Sequence, residues 1–110
     1  MASGSTLREY EQLKQQLLTL GLVRPGSLVR RYMPCGKLGC RCMATPPILH
    51  GPYYQWTYRV RGKTITKRLN EAQAAQCAVW IQNYRKLRTL SRRIVGLSLK
   101  ETDRILRTIS

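Results

Sequence analysis

Hydrophobic residues recur at helical spacing near the start of the chain. They follow one another at steps of three or four residues and are Leu7, Tyr10, Leu13, Leu17 and Leu20. Such spacing places apolar side chains along one side of an α-helix. Thr6 followed three residues later by Glu9 matches a capping box, and Gly21 suits the end of a helix. The pattern predicts a first helix over about residues 7–20.

The middle of the chain alternates between apolar and polar residues. Leu28–Met33 predicts a short strand, and Tyr53–Val60 and Lys63–Leu69 flank the dipeptide Arg61-Gly62. Alternation on both sides of a two-residue turn predicts a β-hairpin. The expected cross-strand pairs are Val60 with Lys63, Tyr58 with Ile65, Trp56 with Lys67 and Tyr54 with Leu69.

The two faces of this hairpin differ in polarity. The face expected in the core holds Tyr54, Trp56, Tyr58, Val60, Ile65 and Leu69. Lys63 and Lys67 fall on the same face and are expected to extend along its margin until their ammonium groups reach water. The other face is entirely polar and holds Gln55, Thr57, Arg59, Thr64, Thr66 and Arg68.

A second helical pattern follows the hairpin. Asn70 is a favourable N-cap, and the apolar positions after it are Cys77, Trp80, Ile81, Tyr84, Leu87, Leu90 and Ile94. They predict a helix over about residues 71–95, which is too long to lie only on a small sheet. Part of it is therefore expected to meet the first helix or another chain. Gly96 is expected to end this helix, and Ser98 with Glu101 matches a capping box for a short final helix.

A cysteine-rich loop separates the first predicted strand from the hairpin. Pro34–Pro52 contains four proline and three glycine residues, so regular structure is not expected there without an external organiser. Cys35, Cys40 and Cys42 have C-x4-C-x-C spacing, and His50 follows eight residues later. Three thiolates and one imidazole complete a closed tetrahedral zinc site of the structural type. We therefore predict that a structural Zn²⁺ organises this loop.

Several alternatives to this zinc site stay open at the level of sequence. The thiols are also compatible with reduced structural cysteines, with an iron–sulfur or redox site, or with a flexible loop whose cysteines are incidental. Cys77 competes with His50 as the fourth ligand, although a buried free cysteine is common at an apolar helix position. His50 is equally suited to a hydrogen bond that orders the turn around it.

These patterns predict an α+β fold. We expect an N-terminal helix, a small antiparallel sheet of two to three strands with a Cys/His metal-stapled loop, and a long C-terminal helix plus a short final helix. The predicted organisation is one compact domain in three parts. These are an N-terminal helix over 1–25, a metal-stapled loop and β-hairpin module over 26–70, and a C-terminal helical region over 71–110.

Charge narrows the expected partners. The chain has a formal net charge of +15, and the stretch from Gln12 to Asn70 contains eleven Lys and Arg residues and no Asp or Glu. An acid-free basic surface of this kind suits a polyanion, whether or not its sequence is read. No apolar run reaches the roughly eighteen residues of a transmembrane helix, and the N-terminus lacks the apolar core of a signal peptide. Nucleic acid is therefore the expected partner, rather than a membrane.

Three segments of the chain resemble a known family. They are R-R-Y-M-P-C-G-K-L-G-C-R-C over Arg30–Cys42, H-G-P-Y-Y over His50–Tyr54, and W-I-Q-N-Y-R-K-L-R over Trp80–Arg88. They resemble small basic bacterial proteins of unknown function that are associated with transposases and other mobile-element genes. The similarity covers most of residues 26–90, and Leu38 stands where that family usually has proline. The resemblance implies a prokaryotic mobile-element context and no established activity. We expect the protein in the bacterial cytoplasm, associated with the nucleoid.

The polar hairpin face predicts how duplex DNA is contacted. A small sheet fits the major groove, where Gln matches adenine, Arg matches guanine and Thr contacts a thymine methyl. A solvated sheet face is the alternative interpretation. The full set of residues predicted to bind nucleic acid is Arg30, Arg31, Lys37, Arg41, Gln55, Thr57, Arg59, Arg61, Lys63, Thr64, Thr66, Lys67, Arg68, Arg85, Arg88 and Arg92. In this set, Arg30, Arg31, Lys37 and Arg41 are expected to contact phosphates, and the helix arginines either track a backbone or form a wet helix face.

Two other functions stay open, and catalysis is not expected. One is a subunit of a ribonucleoprotein that binds single-stranded DNA or RNA, or structured RNA. Tyr53, Tyr54, Trp56 and Tyr58 would then stack on bases, although core packing is favoured for Trp56 and Tyr58. The long helix would alternatively dock on a transposase or nuclease, or form a homo-oligomer. The acidic residues are Glu9, Glu11, Glu71, Glu101 and Asp103. Because none lies between the cysteines and the hairpin, the carboxylate cluster that metal-dependent cleavage needs is not predicted.

Overall fold

The computed structural model describes residues 2–33 and 50–109. Its elements are α1 (Ala2–Leu18), β1 (Ser27–Met33), β2 (His50–Val60), β3 (Lys63–Leu69) and α2 (Glu71–Thr108). The α+β fold with a terminal helix, a three-stranded antiparallel sheet and a long C-terminal helix is therefore confirmed. Across the described ranges, none of the helices is long and apolar enough to cross a membrane.

The chain divides into two compact units. Unit 1 comprises Met1–Val23 and Gln82–Ser110, and unit 2 comprises Arg24–Ile81. The C-terminal part of α2 thus belongs with α1, which confirms that the long helix packs on more than the sheet. The three-part division drawn from the sequence stays a prediction.

The sheet in unit 2 has the strand order β1-β2-β3. In the hairpin, Val60 pairs with Lys63, Tyr58 with Ile65, Trp56 with Lys67 and Tyr54 with Leu69, which confirms the predicted register. The turn residues Arg61 and Gly62 have φ values of 50° and 78°. Positive φ at both central positions is the geometry of the two-residue turns that match the twist of a hairpin.

The core of unit 2 forms around the central strand. Trp56, Cys77 and Ile81 are buried together, and Leu28, Tyr58 and Leu69 pack against them. The prediction that Ile65 belongs to this core is wrong, since 46% of the residue is exposed. The physical reason is that β3 is an edge strand, of which only the last residue, Leu69, is even partly buried.

The turn before β1 closes tightly on the central strand. Trp56 donates its indole Nε1–H to the carbonyl oxygen of Pro25 at 2.7 Å. Gly26 has a φ of 109°, and a Cβ atom there would lie 2.5 Å from the carbonyl oxygen of Thr57. Because no other residue tolerates both that φ and that approach, Gly26 is needed for this turn.

The start of α2 is capped as predicted. The Asn70 side-chain Oδ1 accepts the Gln73 backbone N–H at 2.8 Å, and the Gln73 side-chain Oε1 accepts the Asn70 backbone N–H at 2.9 Å. This reciprocal pair satisfies two backbone donors. The helix then buries Ala74, Cys77 and Ile81 along one side.

The predicted break at Gly96 is wrong, because α2 continues through it to Thr108. One glycine costs a helix only about 1 kcal/mol relative to alanine. Residues on both sides of it, Leu90 and Glu101, are buried in unit 1 and hold the helix in place. Glu101 does not cap a separate helix at Ser98, since its Oε1 accepts two hydrogen bonds from Arg104 at 2.8 and 3.0 Å.

The start of α1 also differs from the prediction. The helix begins at Ala2, so Thr6 lies inside it and is buried rather than acting as its N-cap. A helix cap contributes only about 1 kcal/mol, so a capping-box sequence does not by itself determine where a helix begins. Leu13 from the predicted apolar stripe is buried, and Glu9 forms a salt bridge of 3.3 Å with Arg93 of α2.

Candidate nucleic-acid interface

Unit 2 presents one exposed sheet face of polar and basic residues. Direct cross-strand partners lie on the same side of a sheet, so the register assigns residues of all three strands to this surface. The open face, as we name it, consists of Ser27, Val29, Arg31, Tyr53, Gln55, Thr57, Arg59, Thr64, Thr66 and Arg68. All six hairpin residues that the sequence predicted for base reading are therefore brought together. Because no acid occurs between Gln12 and Asn70, this face carries positive charge only.

Burial distinguishes the margins of the open face from its centre. Arg31, Arg59, Thr64, Thr66 and Arg68 are exposed, whereas Tyr53, Gln55 and Thr57 of the central strand are partly buried. Gln55 and Thr57 have paired neighbours on both sides and Tyr53 contacts Arg68, whereas Arg59 has a paired neighbour only on β3. The arginines thus lie where a large ligand could reach them.

An arginine–aromatic contact lies at one end of the open face. The guanidinium carbon of Arg68 is 3.8 Å from the ring centroid of Tyr53, and Arg31 pairs with Tyr53 across β1 and β2. A guanidinium stacked on an aromatic ring is held in place while its N–H groups stay available to phosphates or base edges. This contact was not predicted from the sequence. The signal was the cross-strand diagonal between Tyr53 and Arg68, which follows from the hairpin register.

The remaining sheet cations lie on the other side. The packed face, which carries Trp56 and Leu69, also carries Arg30, Lys63 and Lys67. Arg30 donates a 2.6 Å hydrogen bond to the Tyr32 hydroxyl, and this bond holds the pKa of the Arg30 guanidinium above its ordinary value. Arg30 and Arg31, which the sequence placed together as phosphate contacts, therefore lie on opposite faces of β1.

Two further groups of predicted residues lie away from either face. Arg61 is exposed at the hairpin tip. Arg85, Arg88 and Arg92 are exposed on the part of α2 that belongs to unit 1. Lys37 and Arg41 lie outside the described residues. The helix arginines keep the spacing that puts them on one side of α2.

Most of the predicted zinc ligands lie outside the described residues. These are Cys35, Cys40 and Cys42, while His50 is the first residue of β2, with its backbone opposite Met33. Within the described ranges, no three His, Cys, Asp or Glu side chains come together as a metal site. Cys77, the alternative fourth ligand, is a free cysteine buried with Trp56 and Ile81. The zinc site therefore stays a prediction.

The fold and this surface define a small α+β protein with a basic, exposed sheet face. A family profile matches residues 6–78, and the chain belongs to that family, which is described as Domain of unknown function (DUF6788). The matched region covers most of α1, the sheet and the start of α2, and so includes the whole open face. No curated protein and no solved structure matches the chain.

Proposed function

We propose that this chain is a nucleic-acid-binding accessory protein that contacts double-stranded DNA through the open face. The observation that carries the proposal is an exposed, acid-free sheet surface with Arg31, Arg59 and Arg68 distributed over three strands. None of the residues that form this face is a carboxylate that could neutralise the arginines. Its charge is directed outward, where it attracts phosphates.

Strand geometry supports contact with successive base pairs. Residues on one face of a strand are about 6.8 Å apart, since each residue advances about 3.4 Å. Base pairs are stacked about 3.4 Å apart, so alternate side chains meet every second pair. Gln55, Thr57 and Arg59 form such a row on β2, and Thr64, Thr66 and Arg68 form the neighbouring row on β3. Gln, Thr and Arg are the side chains that read adenine, thymine and guanine edges in the major groove.

Phosphate contacts would fix the register of this reading. Arg31 lies at the β1 edge of the open face, and Arg61 lies at the hairpin tip. Lys37 and Arg41 of the cysteine loop have the charge for the same role. These contacts carry affinity without sequence preference, whereas the central rows carry specificity.

The biological setting is proposed from the sequence motif. The C-G-K-x-G-C-R-C block and the H-G-P-Y segment favour a mobile-element context, with the protein in the bacterial cytoplasm at the nucleoid. One structural Zn²⁺ held by Cys35, Cys40, Cys42 and His50 is part of the proposal. Metal analysis of protein purified without chelator is expected to give one zinc per chain. A folded chain without metal, or with these thiols paired as disulfides, contradicts the site.

Titration with labelled nucleic acids tests the main proposal. Fluorescence anisotropy of the full chain is measured against one duplex pool, the separated strands and an RNA hairpin, each at several salt concentrations. We expect tightest binding to duplex DNA and no cleavage of any substrate by the pure protein. Tighter binding to single strands or RNA rejects the duplex assignment, and metal-dependent cleavage that a point substitution abolishes rejects the accessory role.

Single-stranded nucleic acid is the second candidate, and the Arg68–Tyr53 contact favours it. The ring of Tyr53 lies on the open face, and the Arg68 guanidinium stacks on it. Aromatic rings and guanidinium groups on such a surface can stack on bases. Trp56 and Tyr58 do not add to such a platform. Trp56 is only 7% exposed and packs in the core, and Tyr58 lies on the same packed face.

A protein partner is the third candidate, and α2 supplies the observation that favours it. Exposed apolar residues recur at helical spacing in its last turns and are Val95, Leu99 and Leu106. A stripe of this kind suits docking on a second copy of the chain or on a transposase or nuclease. Native mass measurement of the full chain, alone and with DNA, separates a homo-oligomer from a monomer.

A further inference from the structure

The packed face of the sheet borders a pocket that DNA binding at the open face does not use. The pocket lies in unit 2, between the last residues of β3 and the first turns of α2, and has a volume of about 440 Å³. Sites for small molecules in proteins have volumes of about 300–1,000 Å³. The pocket is therefore large enough for a ligand of that class.

The lining combines an apolar floor with a basic rim. Leu69, Cys77 and Trp80 supply apolar surface, and Arg24 and Lys67 supply two positive charges. Among the described residues that line the pocket, none is a carboxylate. Such a site favours an organic anion whose charged group meets the cations while its body covers the apolar floor.

Arg24 is held in place before any ligand arrives. Its guanidinium carbon lies 3.9 Å from the ring centroid of Trp56, and its backbone N–H donates to the Trp80 carbonyl at 3.1 Å. The indole of Trp56 is itself fixed by its hydrogen bond to Pro25. A side chain that is already ordered loses little entropy when it binds. The indole covers one flat side of the guanidinium, and the other side suits a flat ligand.

We propose that this pocket binds a nucleotide unit, in which a flat base is linked through a sugar to a phosphate. The base stacks between the Trp80 side chain and the flat face of the Arg24 guanidinium. The phosphate is neutralised by the positive charges of Lys67 and Arg24. The Gln76 side chain, which also lines the pocket, hydrogen-bonds to the edge of the base. A free mononucleotide and the phosphorylated end of a strand share this chemistry. The proposal is independent of duplex binding at the open face.

The two tryptophans of the chain are the readout for a direct test. Trp80 lines the pocket, and the Arg24 guanidinium stacks on the ring of Trp56. The ¹⁵N-labelled full chain is titrated with adenosine monophosphate, and separately with adenosine and with inorganic phosphate. We expect a saturable shift of the Trp80 indole N–H signal with the nucleotide, and affinities weaker by about tenfold or more for its two halves. Equal affinity for adenosine and its monophosphate overturns the proposal, as does the absence of a saturable shift.

A matched pair of lysines on β3 tests the rim. Lys67 lines the pocket, whereas Lys63 is an exposed cation on the same face, four residues away, and is not part of the lining. Lys67→Ala is expected to weaken nucleotide binding about three- to tenfold, since one charged contact is lost. Lys63→Ala is expected to leave it unchanged. Equal effects of the two substitutions, or no effect of either, overturn the proposal.

Two further arms identify the source of the nucleotide and separate this pocket from the open face. A tetranucleotide with a 5′-phosphate is compared with the same strand without it. A Trp80 shift that requires the phosphate identifies a strand end as a ligand, and a shift with mononucleotides only identifies free nucleotides. Arg59→Ala, on the open face, is expected to leave the mononucleotide titration unchanged. Failure of duplex binding therefore does not alter this result, and loss of the titration in Arg59→Ala overturns the assignment to the pocket.

Discussion

The two faces of the sheet in unit 2 are built from the same strands but use their residues differently. On the packed face, Trp56, Tyr58 and Leu69 pack with Cys77 and Ile81 of α2. On the open face, the corresponding positions hold Gln55, Thr57 and Arg68, and the arginines remain exposed. Successive side chains along each strand lie on opposite faces of the sheet. A residue therefore packs in the core or is exposed to solvent according to its position in this alternation.

This difference separates the residues that maintain the fold from those that are free to bind. A buried aromatic residue contributes to the stability of the fold through the apolar area that it removes from water and through close packing. An exposed arginine contributes little to folding and is available to a ligand. Neighbours in sequence such as Arg30 and Arg31 therefore have different expected roles, although their chemistry is the same.

The largest expected effect is a loss of stability when the side chain at the centre of the packed face is removed. Trp56→Ala removes a 93%-buried indole and its hydrogen bond to Pro25, and should lower the free energy of unfolding by about 3–5 kcal/mol. Thr66→Ala on the open face should change it by less than about 0.5 kcal/mol. Urea unfolding followed by circular dichroism measures both. Similar losses for the two variants would mean that the faces do not differ in their contribution to stability.

The second effect concerns the open face and DNA. Arg59→Ala and Arg68→Ala should each relax preference at particular base pairs by about 1–3 kcal/mol, because alternate hairpin residues enter the groove. Lys63→Ala is the matched control, since Lys63 is an exposed cation near Arg59 but on the packed face. Competition binding with single-base variants of the preferred duplex gives the preference. Equal effects of Lys63→Ala and Arg59→Ala would contradict reading by one face.

A smaller effect distinguishes the adjacent arginines of β1. Arg31→Ala should weaken binding to all duplexes alike and lower the slope of log affinity against log salt concentration by about one unit. Arg30→Ala should leave the slope unchanged, because Arg30 lies on the packed face and is hydrogen-bonded to Tyr32. Anisotropy titrations at several salt concentrations give the slopes. If the Arg30 variant loses as much slope, the ligand does not lie on the open face.

The smallest effect concerns the hairpin tip, which belongs to neither face. Arg61 has a φ of 50°, a conformation that asparagine tolerates better than arginine. Arg61→Asn should raise the free energy of unfolding by less than about 1 kcal/mol, because it relieves backbone strain, and should weaken DNA binding through the lost charge. Thermal unfolding and anisotropy on the same samples check the two directions. A destabilised variant would show that the arginine side chain itself supports the turn.

The hairpin could be predicted from the sequence because its signals are local. Alternation of period two and the Arg61-Gly62 turn determine the register, and with it both faces. The N-cap at Asn70 is also local, since it needs only the next three residues. The predicted end of the helix at Gly96 was wrong because a single glycine is a weak local signal that tertiary packing overrides.

The pocket could not be predicted from the sequence. Arg24, Lys67 and Trp80 lie far apart along the chain and meet only because the sheet packs on the first turns of α2. The same holds for the stacking of Arg24 on Trp56. The exposure of Ile65 depends on which part of the sheet the helix covers. The alternation of residues along the strand does not predict this.

The acid-free sheet also links folding to binding. Positive charges on the three strands repel one another, and no carboxylate in those strands offsets the repulsion. A polyanion that neutralises them favours the folded state, and the folded population rises with its concentration by mass action. The protein would then be most resistant to unfolding and proteolysis while it is bound. Its abundance in a cell would follow the supply of its ligand as well as its rate of synthesis.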